Sequence, residues 1–272
     1  MSDQGPAGQE PQQPGEFTIN VQVVDDGIGV LQWNAATDSD TLTRGVGLAA
    51  DDALIGRGLR RVEVALPSTD AMARRAMHRA GFRREGVRRQ ALRLANGELD
   101  DVVLYARLVD DITTGPSGFS GVMNSVLPTK RVIGHVIFRD SAGRVLLCDT
   151  HFKADWELPG GVVEPRESPR VGAIREVAEE LSLVVDRLRL LVVDWMPPYL
   201  GWDDALEFIF DGGVLTPEQI ASIVKQDSEI VAVHWVPVEQ IADHVSELSA
   251  RRLQIALSLA PGEVALTENG TR

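Results

Sequence analysis

The sequence predicts an α/β (α+β) protein made of two bodies, each carrying a mixed sheet. Three observations lead there. A length of 272 residues corresponds to about two domains at roughly 150 residues each. Short β-rich runs and helical periodicities interleave without strict β-α-β order, which favours mixed sheets with helices packed on them. A cluster of turn formers, Thr113-Thr114-Gly115-Pro116-Ser117-Gly118, falls where two bodies would meet. The expected organisation is a disordered tail at 1–15, a body at 16–110, a linker at 111–125, a second body at 126–262 and a polar tail at 263–272.

In the second body, Val132 to Phe138 and Arg144 to Cys148 flank Asp140-Ser141-Ala142-Gly143, the pattern of a hairpin. Leu188 to Trp195, Leu206 to Phe210 and Ile230 to Val236 read as further strands. Helical periodicity covers 169–181, 216–225 and 248–259. In the first body the order is a helix Ala49 to Ile55, a strand Arg61 to Leu66, a helix Thr69 to Ala80 and a strand Val102 to Leu108.

Composition narrows the class. Hydrophobic residues make up 44% and charged residues 25%, values of a globular chain rather than a disordered or collagen-like one. No run of eighteen uncharged apolar residues is present, so no membrane-spanning helix is expected. The first positive side chain is Arg44, which argues against a cationic secretory leader. The single cysteine, Cys148, sits in an apolar run and reads as a buried, inert thiol of a cytoplasmic protein. Residues 1–110 hold 13 arginines against 16 acidic residues, and 111–272 hold 14 basic against 24 acidic. That acidity argues against strong nucleic-acid binding. It is compatible with a phosphate substrate when a divalent cation stands between the two.

The chemistry concentrates at residues 160–183. Ser168-Pro169 is a helix start, with Ser as N-cap and Pro in the first turn. From there Glu176, Glu179 and Glu180 fall at i, i+3 and i+4, on one face about 5–6 Å apart at Cβ. Ile174, Val177 or Ala178, and Leu181 share the opposite, apolar face. Like charges so spaced repel by a few tenths of a kcal/mol, and a hard divalent ion such as Mg²⁺, which prefers carboxylate oxygen, gives a reason to gather them. Gly160-Gly161 lets the backbone approach closely, and a carbonyl there would complete the shell. Taken alone, Glu-x-x-Glu-Glu reads as a solvated acidic face rather than a metal site. The complete spacing from Gly161 is far more specific.

That spacing resembles the Nudix box, G-x5-E-x7-R-E-U-x-E-E-x-G-U. Eight of its nine fixed positions match between Gly161 and Leu183, and Ser182 stands where the family has Gly. The similarity covers about 130–260, including the lead-in Trp156-Glu157-Leu158-Pro159. It implies an α/β/α sandwich around a mixed sheet and a hydrolase that cleaves the diphosphate linkage of a nucleoside diphosphate derivative, water attacking phosphorus. By resemblance, Glu176, Glu179, Glu180 and the Gly160 carbonyl would hold Mg²⁺ or Mn²⁺, Arg175 would orient the glutamates, and Glu167 would brace the loop against the helix. The catalytic base is expected among the box glutamates or in a later loop, where Glu229 is preferred and Asp227 is the other candidate. The missing Gly implies a less favourable left-handed helix end.

The first body resembles part of the GNAT acetyltransferases, nearest the branch that acetylates ribosomal proteins. The run Arg44-Gly45-Val46-Gly47-Leu48-Ala49 fits the pyrophosphate loop of that superfamily, and Gly81-Phe82-Arg83-Arg84-Glu85-Gly86 fits its characteristic turn. The implication is a smaller, truncated mixed-sheet domain in which the amides of 45–49 cradle acetyl-CoA. Asp70, Ala73 and Met77 stand where the family tends to have Asn, Ser and Tyr, so a degenerate module is expected.

The aromatic, Pro-rich segment Trp195 to Trp202 is either a base-stacking loop or a packed cap over the core. No metal or acid–base role is read for His135, His151, His234 or His244. The expected ligand is a small nucleoside diphosphate derivative, with no membrane partner, and a homodimer is left open. Two further functions stay open beside the hydrolase: a nucleotide- or CoA-binding sensor without turnover, and an N-acetyltransferase in the first body.

Overall fold

A computed structural model describes residues 17–199 and 201–272, divided into two compact units, Met1–Pro128 and Thr129–Arg272. The tail expected at 1–15 lies outside the described residues.

The first unit runs β1 (Ile19–Asp25), β2 (Ile28–Trp33), α1 (Ser39–Asp51), a π-helical turn at Asp52–Gly56, β3 (Arg61–Pro67), α2 (Ala71–Arg79), β4 (Arg83–Arg93), β5 (Leu99–Leu108) and α3 (Gly115–Val126). The sheet order is β1-β2-β3-β5-β4, with β2 and β3 parallel and the other pairs antiparallel. Leu42, Val46 and Ala50 from α1 meet Val62 and Val64 from β3, and Ala76 and Met77 from α2, in one core. β1, β2 and β4 were not foreseen. β4 is a mostly exposed edge strand crowded with arginine, so it lacks the apolar alternation that marks a half-buried strand.

Two expectations for this unit are corrected. The segment expected as a linker at 111–125 contains α3, whose Ser125 Oγ accepts a 3.0 Å bond from the Arg84 N–H of β4. Its small residues permit the approach: a Cβ at Gly121 would lie 2.8 Å from the Arg83 guanidinium. The second correction concerns Arg44 to Ala49, which lies inside α1 rather than in a loop before it. Asp38 caps the helix, accepting from the N–H groups of Asp40 and Thr41. The helix therefore starts well before Arg44, and the 45–49 amides go into its own ladder. Gly45 is small because Ile19 packs against it, and Gly47 faces open space.

The second unit runs β6 (Arg131–Arg139), β7 (Val145–Thr150), β8 (Gly160–Val162), α4 (Pro169–Leu181), β9 (Arg189–Met196), β10 (Ala205–Val214), α5 (Pro217–Ala221), β11 (Ile230–Val236), a 3₁₀ turn (Val238–Asp243), α6 (Glu247–Ser258) and β12 (Ala265–Glu268). The sheet order is β11-β7-β6-β10-β9-β12, with β8 added on β6. β6 and β10 are parallel, as are β9 and β12. Strand alternation sends successive side chains to opposite faces. Val136 and Phe138 join Ala173, Val177 and Leu181 of α4; Ile137 and Ile209 join Leu253 and Ala256 of α6. The result is a helix–sheet–helix sandwich. Cys148 is buried, and burial first, then Glu180 and Glu157, push its thiol up.

Three differences from expectation stand here. The helix at 216–225 shrinks to α5, which Thr216 and Gln219 hold in a capping box. The tail at 263–272 instead contributes β12 to the sheet, with the Thr267 hydroxyl donating to Asp194 Oδ1 at 2.6 Å. Ala178 is exposed, so of the alternatives at that turn Val177 takes the core position.

α4 ends as its sequence implied. Ser182 adopts φ 56°, ψ 23° at the C-cap, a left-handed conformation that a side chain tolerates poorly. Ser182→Gly is expected to raise the unfolding free energy by about 1 kcal/mol; an unchanged or lowered urea midpoint would contradict this account.

Candidate active site

β8 and α4 build the site together. Gly160 pairs with His135 of β6 and Gly161 with Gly134. The backbone at Gly160 has φ 133°, and a Cβ there would run into the Gly134 carbonyl, so only glycine lets β8 lie so close to β6. A Cβ at Gly161 would stand 2.9 Å from the Glu176 carboxyl carbon, which places this glycine directly under the acidic ridge. α4 begins at the Ser168 cap with Pro169 in its first turn, as the local chemistry dictated.

The three ridge glutamates differ in environment. Glu179 is exposed, Glu176 is half-buried, and Glu180 retains 7% of its surface. Glu180 Oε2 accepts the Gly160 N–H at 2.8 Å. Burial, opposed by that bond and reinforced by Glu176 and Glu229, pushes Glu180 up to about 7. Burial also raises Glu176, with Arg175 opposing and Glu179 and Glu229 adding to it. The ridge thus concentrates carboxylates that are costly to ionise without a nearby cation.

Arg175 supplies the nearest positive charge. Its Nη1 donates to Glu176 Oε1 at 3.0 Å and to Glu179 Oε2 at 2.9 Å. Its Nε and Nη2 each donate to Glu167 at 3.1 Å, and Nη2 also reaches the Val162 carbonyl at 3.2 Å. Glu167 in turn accepts the Glu164 N–H at 3.0 Å, which ties the loop after β8 to the helix. Among the described residues, no group of three His, Cys, Asp or Glu side chains stands ready-made around one point; the guanidinium sits between two of the three glutamates.

Glu229, in the turn before β11, acts electrostatically on both Glu176 and Glu180. Asp227 pairs with Lys225. The segment Trp195 to Trp202 is not a packed cap: Tyr199 is 70% and Trp202 63% exposed, with the Arg131 guanidinium 4.6 Å from the Trp202 ring centre.

Sequence reasoning missed the buried polar cluster on the α6 face. His135 Nδ1 lies 3.0 Å from Glu207 Oε1; because a carboxylate only accepts, Nδ1 carries the proton. Arg252 of α6 pairs with Glu207 and lies 3.8 Å from Asp194. Burial lowers the His135 imidazole and the Arg252 guanidinium alike. The cluster ties β6, on which Gly160 pairs, to β9, β10 and α6. Its members lie in separate elements, and only their shared burial could have revealed them. Trp156, in the lead-in to β8, is held between His234 and His244, with ring centres 3.8 and 4.1 Å away and planes nearly parallel.

Residues 128–255 match the family model of the NUDIX domain. A MutT-like protein from Streptomyces ambofaciens is 31% identical over 126 residues, which cover 46% of this chain and 75% of that protein. This chain belongs to the Nudix family. An RNA pyrophosphohydrolase from Dinoroseobacter shibae is 34% identical over 115 residues, 41% of this chain and 62% of the relative. The Nudix family comprises divalent-metal-dependent hydrolases of diphosphate bonds in nucleotide derivatives. A solved ribosomal-protein-S5-alanine acetyltransferase from Vibrio fischeri shares 19% identity and a TM-score of 0.31, covering 35% of this chain and 54% of its own; the overlap falls in the N-terminal region. Among the described residues no helix is long and apolar enough to cross a membrane.

Proposed function

We propose that the Nudix unit cleaves the diphosphate linkage of a nucleoside diphosphate derivative, with water attacking phosphorus. The observation that carries this reading is the glutamate ridge set over Gly160-Gly161, with Glu180 buried beneath it and bonded to the Gly160 N–H. Its oxygen donors suit a hard divalent cation such as Mg²⁺ or Mn²⁺, and the raised Glu176 and Glu180 are carboxylates that such a charge would stabilise. Glu176, Glu179, Glu180 and the Gly160 carbonyl would hold the ion, which when bound supplies charge neutralisation of the diphosphate and a more acidic water.

The chain's own groups do the rest. The Gly160 N–H fixes one Glu180 oxygen and leaves the other free. Arg175 spans Glu167, Glu176 and Glu179, and so keeps the ridge aligned with the loop. Glu229 is the residue we assign to take the proton of the attacking water, and Asp227 is engaged by Lys225.

The N-terminal unit is proposed as a GNAT-like module that does not hold acetyl-CoA through Arg44, Gly45, Val46, Gly47 and Ala49, because helix α1 consumes those amides. The test is a panel of nucleoside diphosphate derivatives incubated with the full chain and Mg²⁺, the products resolved by chromatography. Release of a mononucleotide from at least one member is expected. Tight binding without turnover across the panel would replace the hydrolase with a sensor, and consumption of acetyl-CoA would overturn the reading of the first unit.

A further inference from the structure

The C-terminal unit is acidic, with 14 Lys and Arg against 23 Asp and Glu beyond residue 128, so its cations have carboxylates in surplus. Nearly all of them are engaged. Among the described residues of this unit, only Arg166, Arg170 and Arg187 have no hydrogen-bond, ion-pair or ring partner. Arg170 and Arg187 line one groove of about 590 Å³, together with Arg189, Asp211, Gly213 and Val264. Arg189 is held in place by Asp211 at 2.9 Å, and Asp211 is shared with Arg139 at 2.7 Å. The groove therefore presents three guanidinium groups to one carboxylate that is already doubly paired.

We propose that this groove is a second anion site, which takes the phosphate oxygens of a phosphorylated ligand away from the glutamate ridge. A guanidinium presents a planar fork of donors that matches two phosphate oxygens at once. The two sites are separate on the helix they share. Nine residues divide Arg170 from Glu179, about 900° of rotation at 3.6 residues per turn, so they project from opposite sides of α4. The site needs no metal, because the guanidinium groups carry the charge that the ridge lacks.

The phosphate can come from a free species, such as a hydrolysis product, or from a nucleic-acid backbone. Titration of the full chain in chelator with inorganic pyrophosphate, and in parallel with a short single-stranded oligoribonucleotide, separates the sources. Chelator silences the ridge, so the outcome is independent of whether the unit hydrolyses anything. Saturable binding of at least one probe is expected, weakened tenfold or more in Arg170→Gln/Arg187→Gln and unchanged in Glu179→Gln. Should the double variant unfold, the charge reversal Arg187→Glu on the wild-type background gives the same reading. Absence of saturable binding by both probes, or equal affinity in the arginine variants, overturns the site.

Discussion

Glu180→Gln and Glu179→Gln are expected to reduce kcat on the best substrate of the panel by on the order of 10³-fold, the scale on which removing one charge-stabilising group acts in other hydrolases. Both substitutions keep side-chain volume and delete one negative charge. At position 180 the amide oxygen can still accept the Gly160 N–H, which now meets Glu180 Oε2 at 2.8 Å, so β8 keeps its seat on α4. Glu179 is exposed and bonded only to Arg175, so its loss leaves the fold alone. Activity within a few-fold of wild type in both variants, with the proteins folded, would remove the ridge from the chemistry.

The same residue governs a second effect, on stability. In chelator, Glu180 titrates at about 7 in the folded state against an ordinary 4.5, chiefly through burial. The folded chain therefore binds this proton more tightly than the unfolded chain. Its contribution to stability is complete below about pH 4.5 and is lost as pH rises through about 7, on the order of 3 kcal/mol in all. Glu176, raised in the same direction by its burial, adds to the trend. His135, lowered by burial, works the other way, since it stabilises the fold as pH rises past its ordinary value. The comparison that isolates Glu180 is wild type against Glu180→Gln: equal urea stabilities near pH 4.5, and a variant more stable by about 3 kcal/mol near pH 8. Parallel curves across that range would show that Glu180 is not the buried acid described. Loss of activity together with a gain in alkaline stability is a pairing that a merely misfolded variant cannot produce.

Local chemistry was legible where neighbours along the chain decide the outcome. The Ser168-Pro169 start, the i, i+3, i+4 placement of the glutamates and the strained end at Ser182 all follow from one helix and its caps. β11 was readable because alternation over seven residues survives in a half-buried strand. The run at Arg44 misled for a related reason. Glycines two positions apart ahead of a helical pattern look like a phosphate loop, but the Asp38 cap upstream and the packing of Ile19 on Gly45 make them helix. β4 was illegible because an arginine-rich edge strand is held by its partner β5 and carries no pattern of its own.

The amino-acid order alone determined which carboxylates gather on α4, which glycines let the backbone close beneath them, and that Arg175 and Glu167 lie one helical stretch apart. Only the tertiary structure decided that Glu180 is desolvated while Glu179 is wet, that the Glu229 charge acts on Glu176 and Glu180, and that His135, Glu207, Arg252 and Asp194 meet in the interior. Spacing along a helix is set by covalent geometry and can be read from one segment. Burial and cross-sheet encounter depend on residues dozens of positions apart, and arise only when separate elements exclude water from the same place.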